Sequence, residues 1–363
     1  MNSNPQPLRH VAVIGAGVAG ATCAQALHEA GHAVRVFDKA RGAGGRLATR
    51  RALWVDAFGQ GRTTRFDHGA PGFDARSPAF RRFTEQALLA GWLAAWSPMA
   101  DRRGLALDGH GPLLLPVPDM STLCRQLLQG VDTAWAAPVS ALHNGPGGWQ
   151  LQGPDALLGE GFDAVVLALP PAQAGALLAE HKRSWARHAA LSLMQPCWTL
   201  MGVATAPAAA LDWDIARLPT GPLSWVQRND TRPGRERRVG EAHWVLHARS
   251  AWSRLHLEHP ADWVQAQLQA ALADWLGEPV HWHHAVTHRW RYAMPQACAA
   301  APSGHSWWDP SLGLGVCGDF LGGNGVEGAW LSARALAARI AGAPDVAAVP
   351  VASAARSTAS VGA

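Results

Sequence analysis

Residues 11–46 read VAVIGAGVAGATCAQALHEAGHAVRVFDKARGAGGR, and this stretch decides the fold. The apolar run at residues 11–14 predicts a strand that is buried on both faces. The pattern G-x-G-x-x-G follows at residues 15–20, and a second strand, Ala33–Phe37, ends at the acidic residue Asp38. A strand, a glycine turn, a helix and a strand ending in an acid together predict a dinucleotide-binding unit.

Each glycine of the first turn has a predicted role. Gly15 permits the tight turn, Gly17 lets backbone N–H groups approach a pyrophosphate, and Gly20 lets the helix pack closely against the strand. The positive end of the helix faces the phosphates. Asp38 is placed to accept hydrogen bonds from both ribose hydroxyls, which disfavours NADP at this site.

A second glycine turn distinguishes FAD from NAD. Gly44, Gly45 and Arg46 come shortly after Asp38. An arginine beside paired glycines can donate to the pyrophosphate from the other side through its planar guanidinium group. NAD-dependent dinucleotide-binding domains usually lack this element, so the sequence predicts FAD.

The composition is that of a globular protein. The 363 residues are 48% hydrophobic and 16% charged, with a net charge of +4, which indicates neither a nucleic-acid footprint nor a polybasic membrane anchor. The five cysteines are scattered and predict no disulfide framework. The polar residues 1–10 do not resemble a signal peptide, and no long apolar run predicts a membrane span. We therefore expect a cytoplasmic protein.

The motifs resemble a known family. The first unit followed by D-K-A-R-G-A-G-G-R is similar to the glutathione-reductase-type flavoproteins, in the branch that contains the amine oxidases. Residues 46–51, 65–70, 288–292 and 318–319 narrow the resemblance to the bacterial renalase-like FAD oxidoreductases. It spans roughly residues 9–341. It implies an α/β fold, in which an FAD-binding Rossmann-like domain of the glutathione-reductase type carries an interleaved α+β substrate domain.

We expect both domains to be discontinuous. The FAD-binding domain is assigned to residues 1–75, 119–171 and 305–341, the substrate domain to residues 76–118 and 172–304, and a disordered tail to residues 342–363. The patterns also predict individual elements. These are a helix with helical spacing over residues 78–97, strands over 133–142, 162–169 and 279–295, and helices over 172–180, 260–276 and 326–340.

Further cofactor contacts follow from the resemblance. The small pair Gly69-Ala70 would pass close to the isoalloxazine ring, the backbone of Val139 would contact the adenine, and Asp319 would bind a ribitol hydroxyl. The chain departs from the family pattern directly after Ala70, at Pro71 and Gly72. The predicted cofactor-binding residues are Gly15, Gly17, Ala19, Gly20, Asp38, Lys39, Gly44, Gly45, Arg46, Gly69, Ala70, Pro71, Gly72, Val139, Gly318, Asp319 and Val326.

The strand at residues 279–295 supplies the candidate substrate residues. Alternation places His288, Trp290 and Tyr292 on one face and Arg289 and Arg291 on the other. One face lines the substrate pocket or packs as aromatic core, and the arginines could attract phosphates; the candidates are His288, Trp290, Arg291 and Tyr292. Histidines at 281, 283 and 284 divide between both faces without a nearby carboxylate or cysteine, so we predict no metal.

Three functions are compatible with the sequence. The resemblance implies an oxidase that passes a hydride from a dihydronicotinamide nucleotide, including isomers of NAD(P)H, to non-covalent FAD and then reduces O2 to H2O2. Flavin amine oxidases typically use a lysine near flavin N5, and the only lysines are Lys39 and Lys182, neither suitably placed. A non-catalytic flavin-binding protein is the third possibility. Cys317 is interpreted as a core residue and not as a flavin attachment point, and the oligomeric state is left open.

Overall fold

The computed structural model describes residues 9–56, 58–106, 111–296, 305–323 and 325–342. These residues form a mixed α/β structure. The strands are β1 His10–Ile14, β2 Ala33–Phe37, β3 Thr49–Val55, β4 Gly61–Asp67, β5 Leu93–Trp96, β6 Leu113–Pro116, β7 Asp132–Ala134, β8 Ala141–Gly145, β9 Gly148–Gln152, β10 Leu157–Phe162, β11 Ala164–Leu167, β12 Met194–Thr205, β13 Ile215–Arg217, β14 Leu223–Arg228, β15 Glu241–Ala248, β16 Trp282–Pro295, β17 Trp307–Asp309 and β18 Leu314–Val316. The helices are α1 Val18–Glu29, α2 Pro78–Leu89, α3 Thr122–Leu127, α4 Pro171–Leu178, α5 Arg183–Leu191, α6 Ser250–Leu255, α7 Ala261–Leu276, α8 Asp319–Gly322 and α9 Gly325–Ala341.

A six-stranded sheet carries the candidate cofactor site, with the order β17-β18-β11-β1-β2-β7. Its strands run parallel except for β17, which is antiparallel to β18. The helices α1, α3 and α9 pack against one face, and α4 together with the β8–β10 sheet covers the other. This two-sided cover explains why the residues of β11 and β18 are all buried and apolar or glycine.

A second sheet is antiparallel, with the order β13-β14-β15-β12-β16. One face packs against α7 through Val264, Leu268 and Leu272. The other face receives the β3–β4 hairpin, whose Trp54 and Phe66 lie in one apolar cluster with β12 and β15. The hairpin therefore connects the glycine turns of the first sheet to the second sheet.

Several predicted elements occur as expected, among them β1, β2, α7 and β16. The helix predicted over residues 78–97 is partly wrong, because it ends at Leu89 and Leu93–Trp96 forms a strand paired with β6. Gly91 has a φ of +71°, which reverses the chain between the two elements. The strand predicted over residues 133–142 is divided into β7 and β8, because Ala136 adopts a positive φ of 51°.

The strands of the six-stranded sheet come from three separated parts of the chain. β1 and β2 precede residue 75, β7 and β11 lie between residues 119 and 171, and β17 and β18 follow residue 305. The domain boundaries themselves stay a prediction. Of the predicted disordered tail, residues 343–363 lie outside the described residues. In the part of the chain that the structure describes, we find no helix long and apolar enough to cross a membrane.

Candidate cofactor and substrate site

The first glycine turn is fixed by its own backbone. Gly15 has a φ of +106°, and a Cβ atom there would lie 2.5 Å from the carbonyl oxygen of Ala168. A Cβ atom at Gly20 would lie 1.7 Å from the carbonyl oxygen of Gly15. The structure thus shows why the turn and the close approach of α1 to β1 require glycine at both positions.

The two glycine turns are in direct contact. Gly17 and Gly44 form an isolated parallel bridge, and Gly44 N–H donates to the carbonyl of Ala16 at 2.9 Å. Gly45 has a φ of +57°, and a Cβ atom there would lie 3.1 Å from the Cα of Gly17. The helix α1 begins at this contact with neither a side-chain cap nor an acidic residue in its first turn. Its first N–H groups are therefore suited to an anionic ligand.

Asp38 joins the two turns at the end of β2. Its Oδ2 accepts a hydrogen bond from Ala16 N–H at 2.6 Å, and its Oδ1 accepts one from Ala40 N–H at 2.7 Å. Each carboxylate oxygen can accept a further hydrogen bond, so the side chain can still bind ribose hydroxyls. Val139 packs against the apolar cluster that contains Phe37 of β2, and the exposed Lys39 follows Asp38.

Arg46 and Asp319 bring the first and last predicted cofactor segments together. Two hydrogen bonds of 2.7 Å connect the guanidinium group to both carboxylate oxygens, and Arg46 also donates to the carbonyl of Ala293 at 3.1 Å. The Asp319 side chain is 4% exposed and the Arg46 side chain 34% exposed. Because a guanidinium group carries five N–H donors, Arg46 retains donors for a phosphate.

The segment at residues 68–72 is held against Arg46. Ala70 N–H donates to the Arg46 carbonyl at 2.9 Å, and a Cβ atom at Gly69 would lie only 2.0 Å from that oxygen. The glycine is therefore required by the chain's own backbone, a reason that differs from the predicted approach of a flavin ring. At the departure from the family pattern, Pro71 leads into Gly72, which packs against β6.

The C-terminal part of the site is built on α8 and α9. Gly318 N–H donates to Ser332 Oγ at 2.9 Å, which fixes the turn that positions Asp319. Val326, in the first turn of α9, is buried. The acidic residue of that turn, Glu327, accepts from the N–H groups of Arg76 and Ser77 at 2.8 and 2.7 Å.

Three aromatic rings pack together beside Gly69. The His68 ring stacks on Trp290 at 5.1 Å and meets His288 edge-on at 4.9 Å, measured between ring centroids. Trp290 Nε1 donates to the His68 carbonyl at 3.0 Å. A fourth ring, that of His247, joins this group because its Nε2 lies 2.8 Å from the Gly69 carbonyl oxygen. We call His68, His247, His288 and Trp290 the ring cluster.

The histidines of the ring cluster are held neutral. Burial and, to a smaller extent, the neighbouring His288 and Arg50 together lower the pKa of His68 to about 3. Burial also lowers the pKa of His247 to about 4, and burial and Arg50 lower the pKa of His288. The Nδ1 atoms of His68 and His247 are buried without a hydrogen-bond partner among the described residues.

The structure brings two of the four candidate substrate residues into this cluster. His288 and Trp290 lie on the predicted common face of β16. Arg291 lies elsewhere, because it pairs with Glu258 at 2.6 and 2.9 Å, as does Arg289 at 2.8 Å. Both arginines therefore have an acidic partner at the surface, which weakens the prediction that they attract phosphates. Tyr292 is half-buried in the same strand.

Sequence reasoning missed His68, His247 and Arg50 as site residues. His68 stands inside the quoted motif at residues 65–70 and could have been found there. Arg50 lies in the motif at residues 46–51, but nothing in that motif indicates that its charge acts on His68 and His288. His247 carries no local signal, since only the pairing of β15 with β12 brings it to Gly69.

The lysines lie apart from the ring cluster. Lys182 forms an ion pair with Asp309 of β17, and Lys39 is exposed at the end of β2.

Cys317 is fully buried, and its hydrogen bond with Cys23 raises the thiol pKa well above the ordinary value. Within the described ranges, no group of three or more His, Cys, Asp or Glu side chains could hold a metal ion.

The residues present fit a flavin dinucleotide. Two glycine turns, an uncapped helix start, an arginine with spare donors and two carboxylates, one directly after β2 and one at the start of α8, meet in one place. These groups match a pyrophosphate flanked by ribose and ribitol hydroxyls. The geometry defines a flavoprotein with a Rossmann-like nucleotide domain.

Comparison with known proteins agrees with this class. Residues 13–87 match the model of the NAD(P)-binding Rossmann-like domain, and residues 61–341 match that of flavin containing amine oxidoreductase. The chain belongs to the flavin containing amine oxidoreductase family, and FAD is its cofactor.

Solved structures share the fold at low sequence identity. A provisionally assigned protoporphyrinogen oxidase from Exiguobacterium sp. 255-15 is 11% identical with a TM-score of 0.70, over 94% of this chain and 99% of that one. Reduced UDP-galactopyranose mutase is 10% identical with a TM-score of 0.66, over 93% and 94%. Putrescine oxidase bound to putrescine is 15% identical with a TM-score of 0.53, over 93% and 98%. These proteins differ in substrate, so the fold alone does not select one.

Proposed function

We propose that this chain is a renalase-like oxidase that transfers a hydride from a dihydronicotinamide nucleotide, including isomers of NAD(P)H, to FAD, with O2 as the final acceptor. The ring cluster carries this proposal. His68 and His247 are buried and have lowered pKa values, His288 and Trp290 are half-buried beside them, and neither lysine of the chain belongs to the cluster. Hydride transfer between two stacked planar rings depends on placement and needs little acid–base assistance.

The cofactor would be held without a covalent bond by residues of both glycine turns and both ends of the chain. Gly17, Gly45 and Arg46 would bind the pyrophosphate, Asp38 the ribose and Asp319 the ribitol. When bound, FAD would supply the hydride acceptor, and O2 would then take the two electrons and the transferred proton, together with one further proton from solvent, to give H2O2. The glutathione-reductase-type classification, the adenine contact at Val139 and the domain boundaries belong to the same proposal.

Arg50 is the cation that we assign to the donor's phosphates, in place of Arg291. Its charge lowers the pKa of three histidines, His68, His284 and His288. Among the described residues no carboxylate forms an ion pair with it. An arginine without an acidic partner beside the uncharged ring cluster suits a nucleotide, because the flat base of a nucleotide can stack on the rings and its phosphates are anionic.

Amine oxidation is the second candidate and has support of its own. The family match over residues 61–341 and the fold similarity to putrescine oxidase both favour an amine substrate. A third candidate, flavin binding without catalysis, would leave the flavin oxidised with every donor.

Anaerobic flavin reduction separates the three candidates. The purified holoprotein is mixed with NADH, NADPH, their dihydro isomers, putrescine and benzylamine, and loss of the oxidised flavin absorbance is followed. We expect rapid bleaching by one or more dihydronicotinamides and none by the amines. Bleaching by amines alone would overturn the proposal in favour of amine oxidation, and the absence of any bleaching would favour the non-catalytic protein.

A further inference from the structure

A second group of arginines lies outside the flavin site, on the outer face of the β3–β4 hairpin. Arg51 and Arg65 stand directly opposite each other in the antiparallel register. Both side chains are exposed and line one cavity of about 300 Å³. Across the described ranges, neither guanidinium group has a carboxylate partner. Like charges directly opposite on paired strands are destabilising, so this pair favours an anion between the two side chains.

The acidic residue of the same cavity is already compensated. Asp119 accepts hydrogen bonds from Ser121 Oγ at 2.8 Å and from Arg125 Nη1 at 3.0 Å. Its ion pair with Arg125 leaves the charges of Arg51 and Arg65 unopposed. The cavity therefore carries three arginines against a single carboxylate; its lining residues are Thr49, Arg51, Arg65, Asp119, Ser121 and Arg125.

Buried charge behind the cavity adds to its positive potential. Asp67 is fully buried and pairs with two arginines, Arg232 at 3.2 Å and Arg235 at 2.6 Å. Thr49, which lines the cavity, donates to Asp67 Oδ1 at 2.6 Å and so connects the two layers. One carboxylate cannot neutralise two guanidinium groups, and charges in a buried setting are poorly screened.

We propose that this cavity is a binding site for a small phosphate-bearing anion, either free inorganic phosphate or a phosphomonoester. The opposed guanidinium groups of Arg51 and Arg65 can each donate two N–H bonds to phosphate oxygens. A cavity of about 300 Å³ is at the small end of ligand pockets, which fits a phosphate with a small attached group. The site is independent of the proposed function, because none of its lining residues is assigned to the flavin or the hydride donor. Its contact with the second glycine turn is through Ser121, whose Cβ would lie 3.0 Å from a Cβ atom placed at Gly44.

The test uses the FAD-loaded protein, so that the flavin pyrophosphate site is filled. Inorganic phosphate and AMP are titrated by calorimetry at constant ionic strength, with chloride as the reference anion. We compare wild type with the double variant Arg51→Gln/Arg65→Gln and with Arg82→Gln/Arg187→Gln, which removes the same charge from two exposed arginines elsewhere. We expect saturable binding that is at least about tenfold weaker in the first variant and unchanged in the second, with flavin content equal in all three.

The two probes distinguish the sources of the phosphate group. Tighter binding of AMP than of phosphate identifies an organic monoester as the ligand, and the reverse order identifies the free anion; both outcomes support the site. Absence of saturable binding in the wild type, or equal weakening in both double variants, would overturn it. The thermal midpoint without phosphate is a second measure, since removing the opposed charges should leave it unchanged or raise it, whereas a fall would contradict the repulsion on which the proposal rests.

Discussion

Arg46 and Asp319 are 273 residues apart in sequence and are joined by two parallel hydrogen bonds of 2.7 Å each. Asp319 is almost fully buried, so its carboxylate requires hydrogen-bonding partners, and Arg46 is one of them. The pair connects the second glycine turn to the start of α8. It therefore couples the closure of the fold to the shape of the proposed flavin site.

Replacing Arg46 by Lys should impair flavin retention more than folding. Lysine keeps the charge but loses the planar fork that binds Asp319 and, in our proposal, the pyrophosphate. We expect an apparent Kd for FAD that is at least about tenfold higher, which corresponds to about 1.4 kcal/mol, measured by flavin fluorescence on reconstitution of the apoprotein. Arg291→Lys is the matched control, because Arg291 forms an exposed bidentate pair with Glu258. Equal losses in both variants would contradict a role specific to Arg46.

Gly69→Ala should destabilise the protein by about 2–3 kcal/mol. The added Cβ would lie 2.0 Å from the Arg46 carbonyl oxygen, so the backbone of the second turn must move. Gly61→Ala, at the other end of β4, is the control because nothing lies within 4 Å of its Cβ position. Urea unfolding measures both free energies, and a Gly69→Ala protein as stable as Gly61→Ala would show that the contact is dispensable.

The nucleotide-binding part of the fold could be predicted because its signals are local. Gly15 and Gly20 are required by contacts within one strand–turn–helix unit, and Asp38 follows directly at the end of β2. Spacing along the sequence records such contacts. The same holds for α7, whose apolar residues repeat at helical intervals and pack on the second sheet.

The substrate side could not be predicted in this way because long-range contacts build it. His68 and Trp290 are 222 residues apart, and His247 reaches Gly69 across 178 residues. Alternation correctly grouped His288 with Trp290, yet it could not show that Arg291 has Glu258 as its partner. The boundary error after Leu89 has a local cause, since an apolar segment with helical spacing also suits the short strand Leu93–Trp96.

Neither lysine should be needed for flavin reduction if the proposed hydride transfer is correct. In the variants Lys39→Met and Lys182→Met, the best dihydronicotinamide donor should reduce the flavin at rates within about twofold of the wild-type rate. Lys182→Met also loses the ion pair with Asp309, a partly exposed contact that we expect to be worth less than about 1 kcal/mol. Stopped-flow reduction under anaerobic conditions measures the rates. A large loss of rate in either variant, with FAD content and thermal midpoint preserved, would favour a lysine-assisted reaction.

Arg50→Gln should weaken donor binding without affecting the cofactor. We expect the KM for a dinucleotide donor to rise about tenfold, as for the loss of one charge-assisted contact, while kcat and flavin content change little. A donor without phosphates, such as a simple N-alkyl dihydronicotinamide, provides the comparison, since its KM should be the same in both proteins. If the KM for both donors rises equally, Arg50 shapes the ring cluster and does not recognise phosphate.

The ring cluster should make the protein sensitive to mild acid. The pKa of His68 is about 3 and that of His247 about 4 in the folded protein, chiefly because both are buried, against about 6.5 for an unfolded histidine. The unfolded chain therefore binds more protons below about pH 6.5, and stability falls as the pH drops from there towards 4, by up to about 1.4 kcal/mol per pH unit for each histidine. Urea unfolding between about pH 7 and 4.5 measures this slope. His68→Gln should make the slope of the unfolding free energy against pH shallower by the contribution of one histidine. His143→Gln, at an exposed position on β8, should leave the slope unchanged. Equal slopes in all three proteins would show that His68 takes up no proton on unfolding.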